Sequence, residues 1–207
     1  MVIAYKSLVG LHYNLMAAVD IETTGRIAGY HEIIQIAVQP LNSDLEPLED
    51  IRPFYMQVAP KYPERAEEEA TLVHGLNIYD LQKSAISQER SADMFDEWFQ
   101  RLELPHKKSL VPLAHNWVFE RGFLAEWLGF DSFNQFFHPH PRDSMMLGIA
   151  LNDRAYFRGE QAPFSSVSLT AMCKKLGIQV LKSHDALADA IAEAKLYKTL
   201  MQLPNPY

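Results

Sequence analysis

Two acidic residues stand two apart at the end of an apolar run, Leu15-Met16-Ala17-Ala18-Val19-Asp20-Ile21-Glu22. In an extended strand, side chains i and i+2 leave the same face with Cα atoms roughly 6.6 Å apart, so Asp20 and Glu22 project together from the tip of a core strand. Paired carboxylates in a partly dry setting repel each other, and a shared proton or a divalent metal relieves them. We read the pair as a metal site. Two further acidic islands stand out along the chain: Glu120, shortly after His115-Asn116, and Asp189, five residues beyond His184.

The elements that must carry these acids follow from periodicity. Residues 15–22 read as a buried strand, 32–38 as a second after a Gly-containing turn, and 54–58 as a third after an acidic, Pro-containing loop, which together make a meander. Pro60 and Pro63 break the pattern, and a helix opens over 67–71 with an acidic first turn, as the helix dipole favours. In 91–102, Met94, Phe95, Trp98, Phe99 and Leu102 share one helical face, with Pro105 beyond it. Residues 109–114 form a short apolar strand in which Pro112 predicts an edge or irregular position. A helix follows through 128 with Phe119, Phe123, Leu124 and Trp127 on one stripe. The aromatic, His- and Pro-rich segment 133–142 predicts a loop or short strand before a helix starting near Asp143-Ser144. A short helix over 168–176 is closed by Gly177. The last, from Asp185 to about residue 201, is Ala-rich, with Ala186, Ala190, Ala194 and Tyr197 suited to close packing. Strands first and helices later give an α/β class with a mixed central sheet. The chain reads as a single domain over 1–207, with 1–13 as a short N-terminal extension.

Composition narrows the function. With 207 residues, 48% hydrophobic and 22% charged, the chain can bury one sizeable core. A net charge of −7 argues against a protein that coats nucleic acid through a broad basic surface, but not against an enzyme that grips a strand's end. The lone Cys173 lies in a helical pattern and reads as a buried thiol; a disulfide framework is excluded, which fits a reducing, cytoplasmic compartment. Residues 1–18 resemble a signal peptide superficially, yet they run straight into the acidic strand, and cleavage there would destroy the fold. No apolar run reaches transmembrane length. The His138-Pro139-His140 pair reads as a Pro-stiffened surface loop, and Trp98, Trp117 and Trp127 as core, with Trp117 also a candidate for lining a cleft.

In order and local spacing the acidic islands resemble the DEDDh family of 3′-5′ exonucleases. That family's first motif, D-x-E-T-T-G, stands as Asp20-Ile21-Glu22-Thr23-Thr24-Gly25. Its second, H-N-x-x-F-D, is matched by His115-Asn116-Trp117-Val118-Phe119-Glu120, and its third, H-x-A-x-x-D, by His184-Asp185-Ala186-Leu187-Ala188-Asp189. Val73-His74-Gly75, Asp143 before a helix, and Ser168-Leu169 with Cys173 fit lesser landmarks, so the resemblance spans roughly residues 15 to 200.

The resemblance implies a ribonuclease H-like fold, a mixed central β-sheet flanked by helices. It implies hydrolysis of phosphodiester bonds at the 3′ end of single-stranded or frayed DNA, releasing 5′-mononucleotides with two Mg²⁺ or Mn²⁺ ions per site. Such chemistry attacks a group already ringed by negative charge, and two cations about 3.5 to 4 Å apart stabilise both the entering and the leaving oxygen. Asp20 would bridge them, Glu22 and Asp189 complete one metal site, Glu120 face the other, and His184 serve as general base. Thr23, Thr24, Gly25, His74, Asn116 and Phe119 occupy positions that in relatives approach the terminal nucleotide; Phe119 also sits on its helix's apolar stripe. Glu120 departs from the family's Asp by one C–C bond of about 1.5 Å, which implies retained activity with a shifted helix or rotamer and a relaxed preference toward Mn²⁺. The partners implied are a DNA 3′ end, with RNA as an alternative, and a polymerase or another replication or repair protein, as in proofreading. The motif forms lean toward the DNA-directed branch. Two other readings are RNA trimming by an exoribonuclease of the same family, and a catalytically weakened module that docks nucleic acid or a polymerase.

Overall fold

Alternate residues of one strand feed two separate cores. The computed structural model describes residues 14–180 and 184–203; the extension expected over 1–13 lies outside them. Strand β1 (Leu15–Thr23) is buried on both faces, so its apolar run is continuous. Leu15, Ala17, Val19 and Ile21 join a large aromatic core on one face, while Met16 and Ala18 join a smaller, Ala-rich core on the other. Asp20 and Glu22 continue the second row.

β1 pairs antiparallel with β2 (Ile33–Pro40), which pairs antiparallel with β3 (Phe54–Ala59), as the meander requires. A 3-10 turn over Pro63–Arg65 leads to α1 (Glu68–His74) and α2 (Ile78–Ser84). The two-residue β4 (Ile86–Ser87) then runs parallel to β3 and continues directly into α3 (Gln88–Gln100). Parallel to β1 on its other side lies β5 (Leu110–Ala114), followed by α4 (Trp117–Leu128), α5 (Phe130–Phe136) and the two-residue β6 (Arg142–Asp143), parallel to β5. The chain closes with α6 (Ser144–Phe157), α7 (Leu169–Lys175) and α8 (Ala186–Gln202). The sheet order is β4-β3-β2-β1-β5-β6, a mixed sheet flanked by helices as the sequence implied.

The small side chains decide which helix lies closest. Ala186, Ala190 and Ala194 of α8 pack against Ala18 and Ala37 of the sheet, so α8 rides directly over β1 and β2. The opposite face holds Phe95, Phe99, Trp117, Phe123 and Leu124 from α3 and α4. The β1–β2 ladder steps out of register between Glu22 and Thr23, where β2 carries one extra residue, Ile34; such bulges gather beside active sites. Ile34 leaves the main core and packs against Ile78 and Leu81 of α2.

Two expectations need correction, and one helix comes in addition. The segment read as a loop from 133 begins inside helix α5, because Phe133, Phe136 and Phe137 are all drawn into the core and the Pro residues come only afterwards. Helix α2, capped by Asn77, whose side chain accepts the amides of Tyr79 and Asp80, was not anticipated. Of the edge or irregular position expected for Pro112 the edge does not hold: it sits in an interior strand, where its outer neighbour β6 pairs only at Leu113 and Ala114, so the missing N–H costs little. Trp117 is buried in the core, and the Cys173 thiol is buried, which pushes it up to about 11. No helix among the described residues is long and apolar enough to cross a membrane.

Candidate active site

The start of α8 is fastened to the sheet by three polar contacts. Asp185 caps the helix by accepting the Ala188 amide at 3.4 Å and accepts the Tyr55 hydroxyl at 2.9 Å, while the Gln35 side chain accepts the Ala186 amide at 2.9 Å. This docking sets Asp189, in the first turn of α8, beside the row of carboxylates on β1. Asp189 Oδ2 accepts the backbone N–H of His184 at 2.8 Å, across a turn in which His184 takes a left-handed conformation with φ of 62°. Side-chain donor atoms of Glu22, His184 and Asp189 all lie within 4.8 Å of one another.

Glu120 arrives from the other side of the sheet. The turn from β5 into α4 is held by Asp143, whose carboxylate accepts the amides of Asn116 at 3.3 Å, Trp117 at 2.8 Å and Met146 at 3.0 Å. One side chain thus caps α6 and fixes the start of α4. Asn116 takes φ of 89°, a left-handed geometry that Asn tolerates better than most residues. The His115 ring is pinned by Ser144 Oγ and the Val167 carbonyl, both at 2.8 Å, and burial pulls its pKa down, so it serves the turn as a neutral imidazole. Glu120, one helical turn on, is 4% exposed and its Oε2 has no hydrogen-bond partner.

A fifth carboxylate, absent from the motif reading, completes the cluster. Glu193 lies four residues after Asp189 on the same side of α8, is 1% exposed, and accepts the His115 amide at 3.0 Å through Oε1. The signal was present in the sequence: an acid at i+4 from Asp189, between Ala190 and Ala194 on the helix's packing side.

Burial dominates the electrostatics. Asp20 is held well above the usual carboxylate range by burial first, then by Glu22, Glu120 and Asp189, against a hydrogen bond with Glu193. Burial, with Asp189 and Asp185, pushes Glu22 up to about 7. Glu120, Glu193 and Asp189 are also raised, burial again being the largest cause. Without a counter-charge these carboxylates repel one another; five carboxylates and an imidazole, with two buried and unpartnered carboxylate oxygens among them, suit hard divalent cations.

Beside the acids opens a cleft of about 480 Å³ lined by Glu22, Thr23, Gly25, Val73, His74 and Phe119, among others. His74 accepts the Leu76 amide at Nδ1, and its Nε2 has no partner. Phe119 is shared between the cleft and the core, 4.9 Å from the Phe123 ring. Thr23 Oγ1 donates to the Gly25 carbonyl, and Thr24, 1% exposed, accepts the Glu32 amide and is turned inward. Gly25 is obligatory by contact, since a Cβ there would come within 2.5 Å of the buried His31 ring. Asn116 is partly exposed and does not line this cleft. His138 accepts the His140 amide at Nδ1, and the two rings stand 5.1 Å apart.

A family model described as RNase_T, exonuclease, matches residues 17–197. No curated protein matches the chain. Among solved structures, the chain is similar to E. coli exonuclease I in complex with a dT13 oligonucleotide, at 18% identity and a TM-score of 0.66, covering 91% of this chain and 41% of that one. It is similar to cell-death related nuclease 4, at 15% identity and a TM-score of 0.69, covering 92% of this chain and 64% of that one. The nuclease domain of 3′hExo, a DEDDh family member bound to rAMP, matches at 20% identity and a TM-score of 0.64, over 92% of this chain and 93% of that domain. The chain thus spans less than two thirds of the first two of these proteins.

Proposed function

This chain belongs to the DEDDh exonuclease family, and on that premise we propose that it removes 5′-mononucleotides from the 3′ end of single-stranded or frayed DNA. The observation that carries the reading is the convergence of Asp20, Glu22, Glu120, His184 and Asp189, from the beginning, middle and end of the sequence, beside one cleft. The four acids would hold two divalent cations, Mg²⁺ or Mn²⁺, which when bound neutralise charge at the phosphate and stabilise the entering and leaving oxygens.

The chain's own residues supply the rest. His184 is solvent-exposed on a left-handed turn beside Glu22 and Asp189, which suits an imidazole that takes the proton of the attacking water. Val73 and Phe119 offer apolar wall to the terminal base, whose stacking is tolerant of sequence. His74 Nε2, buried and unpartnered, is available to the sugar. Thr23, Thr24 and Gly25 serve by shaping the turn that carries the cleft's floor.

The direct test is digestion of 5′-labelled DNA and RNA oligonucleotides in parallel, with Mg²⁺, Mn²⁺ or EDTA. A ladder shortening from the 3′ end of DNA, only with metal, is expected; faster digestion of RNA would move the assignment to the exoribonuclease reading, which the rAMP bound to 3′hExo favours. No ladder under any ion would remove both.

A further inference from the structure

Glu193 has a burial that its two contacts, the His115 amide and a side-chain hydrogen bond with the equally acidic Asp20, do not explain. A carboxylate 1% exposed is costly unless paired, and no Lys, Arg or His side chain forms an ion pair with it among the described residues. Its Oε1 is satisfied by the His115 amide, yet Oε2 has no partner. A glutamine would accept the same amide without the charge. What Glu193 has around it instead is more negative charge, from Asp20, Glu120 and Asp189. Glu120 Oε2, buried to 4%, is the second orphaned oxygen in the same cluster. Two unpartnered carboxylate oxygens lie among four neighbouring acids, a donor set whose charge suits a cation.

We propose that Glu193 is a fifth carboxylate of the cation site, its Oε1 anchoring the turn that carries Glu120 and its Oε2 serving the cation held by Asp20 and Glu120. The inference rests on reading the cluster as a cation site. It divides the acids into two groups: Glu22 and Asp189 with His184, whose donor atoms lie together, and Asp20 with Glu120 and Glu193. It also gives the longer Glu120 a counterpart, a second glutamate that reaches the same cluster from a helix on the opposite face of the sheet. Because Glu193 follows Asp189 by one turn of a single helix, any displacement of α8 moves both groups together.

The test uses the full chain, stripped with EDTA and free of nucleic acid, as wild type, Glu193→Gln and Glu193→Asp. Mn²⁺ affinity is measured by calorimetry, and thermal midpoints are recorded in EDTA and in Mn²⁺. Glu193→Gln keeps the acceptor for His115 and, freed of the buried charge, is expected to hold or raise its midpoint in EDTA, yet to bind Mn²⁺ about ten- to a hundredfold more weakly and to lose most of the Mn²⁺-induced rise. Glu193→Asp should fall between the two. Unchanged Mn²⁺ affinity in Glu193→Gln would overturn the inference and leave Glu193 a support for the turn. If the wild type itself takes up no Mn²⁺, the cation-site reading fails, and the inference with it.

Discussion

Each acid at the head of β1 is held above its ordinary pKa, so protons and divalent cations compete for the same oxygens. The folded protein without metal binds more protons than the unfolded chain wherever pH lies between the ordinary and the raised values, and stability must then fall as pH rises. For Glu22 that window runs from 4.5 to about 7, and Asp20, Glu120 and Glu193, raised in the same direction by burial, act with the same sign. In EDTA the melting temperature should therefore decline between about pH 5 and about pH 7, and saturating Mg²⁺ should flatten that decline; a profile indifferent to metal would contradict the account. His184 poses a different question, because it sits among ligand-type oxygens yet is assigned a base's duty. As a base, His184→Ala should lower kcat by about 10²–10⁴-fold with Mn²⁺ affinity nearly intact. A collapse of Mn²⁺ affinity would make it a ligand.

Among the elements, the turn from β5 into α4 depends most on one side chain. Asp143→Ala removes the α6 cap and strands the amides of Asn116 and Trp117, a loss of about 1–2 kcal/mol for the cap alone. Because Glu120 rides on the same turn, activity should drop more than stability predicts, which melting and initial rates on one oligonucleotide would show together. Much of this was legible beforehand. The i, i+2 acids on β1, the His-Asn turn before α4 and the acid-bearing start of α8 each carry a local pattern. Helix α5 did not, because the Pro and His residues that follow Phe136 dominate the window while its aromatic side chains find partners only in the tertiary core. Helix α2 had its signal in Asn77 but spans just seven residues. The bulge at Ile34 has no sequence signature at all, since register is settled between strands. Glu193 was hidden differently: its significance lies in burial, and an acid on a mostly apolar helix reads as solvated until that helix is placed on the sheet.

At the scale of the molecule, the site joins segments that are far apart in sequence, so cation binding reports on the whole fold. A ligand that binds only the folded state at a hundred times its Kd adds about 2.7 kcal/mol, and chemical denaturation with Mn²⁺ at that excess should show a rise of this order, with α8 amides the most protected against exchange. Ile34 is the extra residue where β2 outruns β1, and its side chain is spent on Ile78 and Leu81, with Leu76 and Ala66 flanking α1 close by. The residues on either side of α1, the helix that bears Val73 and His74, thus gather with α2 around a residue for which the ladder has no use. Shaving one methyl from that residue, Ile34→Val, costs about 0.5–1.5 kcal/mol and leaves every acid where it stands. The guest's berth loosens instead: KM climbs at constant Mn²⁺ affinity, and the spent nucleotide departs sooner.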